Sequence, residues 1–360
     1  MMAALMIDTT GICHYLHRVM LFLNMCVLVP MWSIGICLSL YISLFYVALY
    51  YDPSYVLLSI LIMYTLYIVY DRNDGPTGRR YFSCMDESKK YDKRNWSCFK
   101  HVAVYFPIKL HKTVDITNMF NESGKQQQAY LFLYQPHGVI GMGANTAINT
   151  NGCNFDELFP KLGVHYGVTL DAPFYVPFLR DLMILLGFVH ARKSTLEHTI
   201  LRDRRESIVL VPGGAMEALY TQRNTFRFLL KTAPIRLALT TNARIVPCIG
   251  FGENDAFRVH AFPSDSIHFR IQKYICQTCS FSTPVLLSPF AQRCPINVVI
   301  GEPIDFAAIT GIVGLKNESQ ITDDVILNCQ AKYTSAVEKL NNKYRGSFGG
   351  TNIPLQWVNI

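Results

Sequence analysis

A chain of 360 residues with 50% hydrophobic and only 16% charged side chains has length for one large core and apolar sequence to spare. Its mean hydropathy is +0.19, and its 11 cysteines are scattered without framework spacing, which excludes a small disulfide scaffold and leaves free thiols as the expectation. The net charge of +7 suits an anionic membrane surface or a phosphate-bearing ligand; no basic stripe interleaved with aromatics accompanies it, so nucleic acid is excluded as a partner.

Residues 19–51 carry no charged side chain, and after Asp52 residues 53–70 are again uncharged, which together exceed the roughly 20 residues a bilayer crossing needs. The break at Asp52-Pro53-Ser54 predicts a transmembrane helical hairpin, residues 31–51 entering and 55–70 returning. Arg18 precedes it and Arg72, Arg79, Arg80, Lys89, Lys90, Lys93 and Arg94 follow, which places both ends in the cytosol. Ser33-Ile34-Gly35 is a poor signal-peptide cleavage site, and cytosolic placement would leave the acceptor-type residues Asn95, Asn121 and Asn317 unglycosylated. The division is therefore residues 1–75, with the hairpin, and 76–360, a cytosol-facing domain.

Residues 71–80 form a turn-rich linker and 121–128 a polar loop. Thereafter residues 129–134, 207–211, 243–251 and 296–300 are short apolar runs with strand character, separated by helical stretches such as 194–204 and 234–241. Such alternation predicts an α/β domain with a mixed, largely parallel sheet and flanking helices. Tyr333, Val337, Leu340 and Tyr344 recur at helical spacing and give the C-terminal helix one apolar face.

Ligands of such sheets gather beyond the carboxyl ends of the strands. Those ends carry Gln135-Pro136-His137-Gly138, Pro212-Gly213-Gly214-Ala215-Met216-Glu217 and Gly252-Glu253-Asn254-Asp255. His137 is the candidate base, and Glu217 the candidate carboxylate to hold its imidazole in one tautomer. Backbone N–H groups near Gly138 or Gly213-Gly214 are candidate oxyanion donors. No Gly-x-Ser-x-Gly or Cys-His arrangement offers a nucleophile, so direct transfer is expected: His137 deprotonates an alcohol, which attacks an activated acyl carbonyl. Arg223, Arg227 and Lys231, at four-residue steps, and Arg236 are candidate anion ligands, and Arg180 lies in an apolar stretch where its charge needs a partner. Cys276, Cys279 and Cys294 lack the second paired element of a zinc site, so no metal is expected.

Tyr134-Gln135-Pro136-His137-Gly138, Phe178-Leu179-Arg180, Val211-Pro212-Gly213-Gly214-Ala215-Met216-Glu217, Arg236-Leu237-Ala238-Leu239, Phe251-Gly252-Glu253-Asn254-Asp255 and Val299-Ile300-Gly301-Glu302-Pro303, after an apolar hairpin, resemble in order and spacing the type-2 diacylglycerol acyltransferase family, which includes monoacylglycerol and wax-alcohol acyltransferases. The resemblance covers nearly the whole chain. It implies a glycerolipid acyltransferase-like fold at the endoplasmic reticulum membrane or on lipid droplets, with acyl-CoA as co-substrate, no cofactor, and catalytic roles for His137 and Glu217.

Two departures from the family and one contrast with soluble glycerolipid acyltransferases stand out. Gln135 replaces the family's first histidine, Lys231-Thr232-Ala233-Pro234 stands where Arg-Lys-Gly-Phe is typical, and Met142 occupies the place where soluble glycerolipid acyltransferases have an aspartate, leaving Glu217 to supply that carboxylate. The expected function is esterification of diacylglycerol to triacylglycerol. Gln135, Gly138, Arg180, Gly213, Gly214, Lys231, Arg236, Glu253 and Asn254 are expected to bind substrate. Monoacylglycerol or a long-chain alcohol is the alternative acceptor; a non-catalytic lipid-binding or droplet-coating protein is the alternative class, with Gln135 in its favour. A homo-oligomer is compatible with all of these.

Overall fold

The computed structural model describes residues 34–51, 54–71, 93–116, 129–160, 162, 165–201, 206–279, 282–288, 290–312, 320–348 and 353–358. Arg18, Arg72, Arg79, Arg80, Lys89 and Lys90, on which the expected topology rests, and the acceptor-type Asn121 and Asn317 lie outside them.

The strands are β1 (Ile108–Lys112), β2 (Tyr130–Gln135), β3 (His165–Thr169), β4 (Phe188–His190), β5 (Ser207–Leu210), β6 (Phe226–Phe228), β7 (Arg244–Phe251), β8 (Val259–His260), β9 (Val285–Leu286), β10 (Ile296–Ile300) and β11 (Leu355–Trp357). Seven form one sheet in the order β1-β10-β7-β2-β5-β3-β4. Neighbours from β7 to β4 run parallel, and β10 pairs antiparallel with β7 and parallel with β1. The expected mixed, largely parallel sheet is present. The helices used below are α1 (34–50), α2 (Val56–Tyr70), α3 (Leu179–Leu185), α4 (Lys193–Leu201), α5 (Ala215–Leu219), α6 (Ala233–Thr241) and α7 (Asp323–Tyr344).

Central β2 is buried at every position, because both faces of the sheet are covered and neither side can be polar. Its period of two splits the core. Leu131 and Leu133 pack with Leu196 of α4, Ile235 of α6 and Tyr333 of α7, while Tyr130, Phe132 and Tyr134 pack with Ile148, Phe155 and Val246. By the same alternation Gln135 belongs to the α7 face and Tyr134 to the opposite one. Thr322 caps α7 by accepting from Val325 N at 3.4 Å, Asp323 and Asp324 follow in the first turn, and Tyr333, Val337 and Leu340 form its buried stripe.

The N-terminal helices α1 and α2 form a hairpin. Tyr41 Oη donates to Leu61 O at 3.0 Å across it, while Ile36, Ile42, Leu49, Ile60, Met63 and Leu66 are exposed on its outside. The 15 residues of α2 extend about 22 Å at 1.5 Å per residue, against a hydrocarbon core of about 30 Å. No helix among the described residues is long and apolar enough to cross a membrane.

The reason α2 ends where it does is Asp71, its C-cap, which is buried in an ion pair with Arg180. Arg180, itself fully buried, also donates to Asp71 O at 2.9 Å and lies 5.5 Å from the Tyr67 ring. Beside it Tyr64 Oη donates to Asp181 and accepts from Phe178 N. Arg180, expected to bind substrate, instead docks the hairpin onto the catalytic domain, since an internal guanidinium must be neutralised. Asp71→Ala is expected to destabilise the protein by about 3–5 kcal/mol by stranding that charge, and an Asp71→Leu/Arg180→Met double substitution to recover most of the loss. Thermal unfolding of the detergent-solubilised protein checks both.

Candidate active site

β7, β2 and β5 are adjacent and parallel, so the segments following them meet at one edge. His137 stands two residues beyond β2 and is half-buried; Gly141 N donates to His137 O at 2.9 Å and closes the loop behind it. His137 Nδ1 lies 3.0 Å from Gly138 O. A carbonyl only accepts, so the proton of the neutral ring sits on Nδ1 and Nε2 carries the free lone pair. Burial lowers the pKa of the ring, against a weaker upward pull from the Gly138 carbonyl, and favours this neutral form.

Glu217 enters from α5 on the α7 face. Its Oε1 accepts from the backbone N of His137 at 2.8 Å and its Oε2 from Gln135 Nε2 at 3.3 Å. Burial pushes its pKa up to about 8, opposed by these donors and by the backbone N–H groups of Leu229 and Gly213. The expectation that Glu217 holds the imidazole is corrected: it seats the loop that carries the ring, and the ring is held by Gly138 O. Gln135 is fully engaged, donating also to Leu229 O at 2.8 Å and accepting from Tyr333 Oη at 3.0 Å.

The two glycines before Glu217 build its seat. A Cβ on Gly213 would lie 2.2 Å from Glu217 Oε2, so only glycine admits the carboxylate there. Gly214 N donates to Val211 O at 3.0 Å and Gly213 N faces Glu217, which corrects their expected role as oxyanion donors.

Glu253, beyond β7, clamps the same loop from the opposite face. Its Oε1 accepts from Met142 N at 2.7 Å; its Oε2 accepts from Gly143 N at 2.8 Å and Tyr134 Oη at 2.6 Å. Burial pushes its pKa up to about 7 against those donors. The carboxylate at Met142 therefore comes from Glu253, where the sequence pointed to Glu217. Both carboxylates are 2% exposed, too enclosed to meet a substrate directly. Gly138, at φ +62°, adopts a left-handed conformation and its missing Cβ would fall 2.8 Å from Glu253 Cγ. Asn254 Nδ2 donates to Thr225 O at 2.8 Å, and its buried Oδ1, without a hydrogen-bond partner among the described residues, lines a small crevice with Pro136, Thr225 and Gly250.

The expected basic helical face is not built: Arg223 sits in a turn 3.7 Å from Asp255, and Arg227 lies in β6. Arg236 pairs with Asp323 at 3.1 Å and ties α6 to α7. Lys231 is exposed, and its Nζ would be 3.5 Å from a Cβ on Gly214, so it alone of these flanks the Glu217 turn. Cys276 packs with Met216, Leu219 and Phe269, and among the described residues no group of three His, Cys, Asp or Glu side chains is arranged to hold a metal ion. The sequence reading missed Thr221, whose hydroxyl donates to Gly138 O at 2.8 Å, and the hydroxyl roles of Tyr134 and Tyr333. Tyrosine at an otherwise apolar core position was the available signal, since a buried phenol needs a partner.

The diacylglycerol acyltransferase family matches residues 48–356. The chain is 32% identical over 303 residues to diacylglycerol O-acyltransferase 1 of Schizosaccharomyces pombe, covering 80% of this chain and 79% of the relative. It is 30% identical over 331 residues to diacylglycerol O-acyltransferase 2B of Umbelopsis ramanniana, covering 88% and 86%. Among solved structures, the 1-acyl-sn-glycerophosphate acyltransferase PlsC of Thermotoga maritima aligns with a TM-score of 0.38 and 10% identity, covering 78% of this chain and 95% of that one. The match spans the hairpin's second helix and all three strand ends that frame His137, so the chain belongs to the diacylglycerol acyltransferase family.

Proposed function

We propose that this protein transfers a fatty acyl group from acyl-CoA to the free hydroxyl of diacylglycerol, forming triacylglycerol. The observation that carries the chemistry is the His137 Nδ1 contact with Gly138 O, which leaves Nε2 as a base on a half-buried ring. Nε2 takes the acceptor's hydroxyl proton as its oxygen attacks the thioester carbonyl; the C–O bond forms, the C–S bond breaks, and the imidazolium returns the proton to the departing CoA thiolate. Every step uses protein side chains and the two substrates, without a metal or further cofactor. Lys231, exposed beside Gly214, supplies positive charge for the CoA phosphates.

The hairpin's apolar outside is read as sitting in the bilayer without crossing it, entering and leaving by the cytosolic face, which suits the endoplasmic reticulum or a lipid droplet surface. The test is acyl transfer from labelled acyl-CoA in microsomes carrying the protein, with diacylglycerol, monoacylglycerol and a fatty alcohol in competition. Triacylglycerol is the expected main product. A dominant wax ester or monoacylglycerol product would reassign the acceptor, and no product above empty membranes would overturn the enzymatic reading.

A further inference from the structure

We infer that Thr221 is a positioning residue for the acyl transfer proposed above, acting on His137 through the Gly138 carbonyl. Gly138 O is the acceptor that fixes the ring's tautomer, and a peptide carbonyl next to a glycine at φ +62° is free to rotate unless something holds it. Thr221 Oγ1 donates to that oxygen at 2.8 Å, from a residue that is 2% exposed. Its backbone is in turn set by the end of α5, where Thr221 N donates to Ala218 O at 3.3 Å. The helix that carries Glu217 to the His137 backbone thus also places a hydroxyl on the carbonyl that the His137 ring reads. One element controls both loop and tautomer.

A carboxylate against Nδ1 would do the same orienting work with a full charge, and here both nearby carboxylates are spent on backbone N–H groups. The hydroxyl-braced carbonyl fills that role while keeping the ring's pKa low, since a neutral acceptor stabilises the imidazolium less than an anion does. Thr221 is buried and acts through a backbone carbonyl, so its loss should lower turnover and leave binding alone.

The inference rests on the acyltransferase reading, and the experiment separates the two. Thr221→Val keeps the shape and removes the donor. It is expected to lower kcat about tenfold, the equivalent of one hydrogen bond, with KM for acyl-CoA and diacylglycerol unchanged per unit of protein in the membrane; Thr221→Ser should restore most of the rate. Should Thr221→Val fail to accumulate, the same tenfold gap is expected between Thr221→Ala and Thr221→Ser. Full kcat in Thr221→Val, a Thr221→Ser variant as slow as Thr221→Val or Thr221→Ala, or a loss confined to KM would overturn the inference. An inactive wild type would instead overturn the function it rests on.

Discussion

Replacing His137 with alanine is expected to reduce kcat for acyl transfer by roughly 100- to 10,000-fold, with the protein still accumulating and melting as wild type does. The ring is half-buried and, among the described residues, its only side-chain hydrogen bond is to the neighbouring Gly138 carbonyl, so its removal leaves no distant group stranded. The pH profile of the wild type makes the assignment sharper. His137 has a folded-state pKa below the ordinary 6.5, so the base form persists as pH falls through 6.5 and is lost only at the lower folded value. The acid limb of kcat/KM should accordingly lie below pH 6.5. A limb above that value would mean that an anion meets the imidazole, and the neutral Gly138 carbonyl could not be its partner. Unchanged kcat in His137→Ala would remove the mechanism while leaving the family unaffected.

Glu217→Ala should be as damaging for a different reason. It strands the buried donors His137 N, Gln135 Nε2 and the backbone N–H groups of Leu229 and Gly213, at about 1–3 kcal/mol each, and frees the loop that aims the ring. A catalytic group displaced by about 1 Å loses on the order of 100-fold in rate. Rate and stability should therefore fall together, in contrast with His137→Ala, where only rate falls. Parallel kcat and thermal unfolding measurements on the two variants decide the matter. If Glu217→Ala loses rate while unfolding at the wild-type temperature, its carboxylate works on the chemistry and does not serve as a backbone seat.

Gln135 is best understood in the same frame. The family's common histidine at that position is replaced by an amide whose two donors reach Glu217 and Leu229 O, and whose acceptor meets Tyr333. Both of its donors and its oxygen have a partner, so the substitution is accommodated within the seat of Glu217. The base, His137, lies on the other side of Pro136 and does not depend on a titratable group at 135.

The elements most legible beforehand were those whose pattern admits one solution. The run 129–134, too short for a helix and uniformly apolar, becomes central β2, and the stripe Tyr333, Val337, Leu340 becomes the buried face of α7. The hairpin's returning helix was legible as an uncharged run, 55–70 expected against Val56–Tyr70 found, but the pairing of its C-cap Asp71 with Arg180, more than 100 positions later, was not. The basic residues at four-residue steps failed similarly, because a turn and β6 replace the helix that the spacing assumes.

What the amino-acid order alone determined is that three strands end in His137, Glu217 and Glu253, since each follows its own local apolar run and turn. Only the tertiary structure decided what each does. Parallel pairing of β7, β2 and β5 puts one carboxylate on either side of the histidine loop, and both go to backbone N–H groups because burying so many donors demands acceptors. The imidazole is then left to a carbonyl and a threonine, a partnership set by distances across the fold that no local spacing encodes.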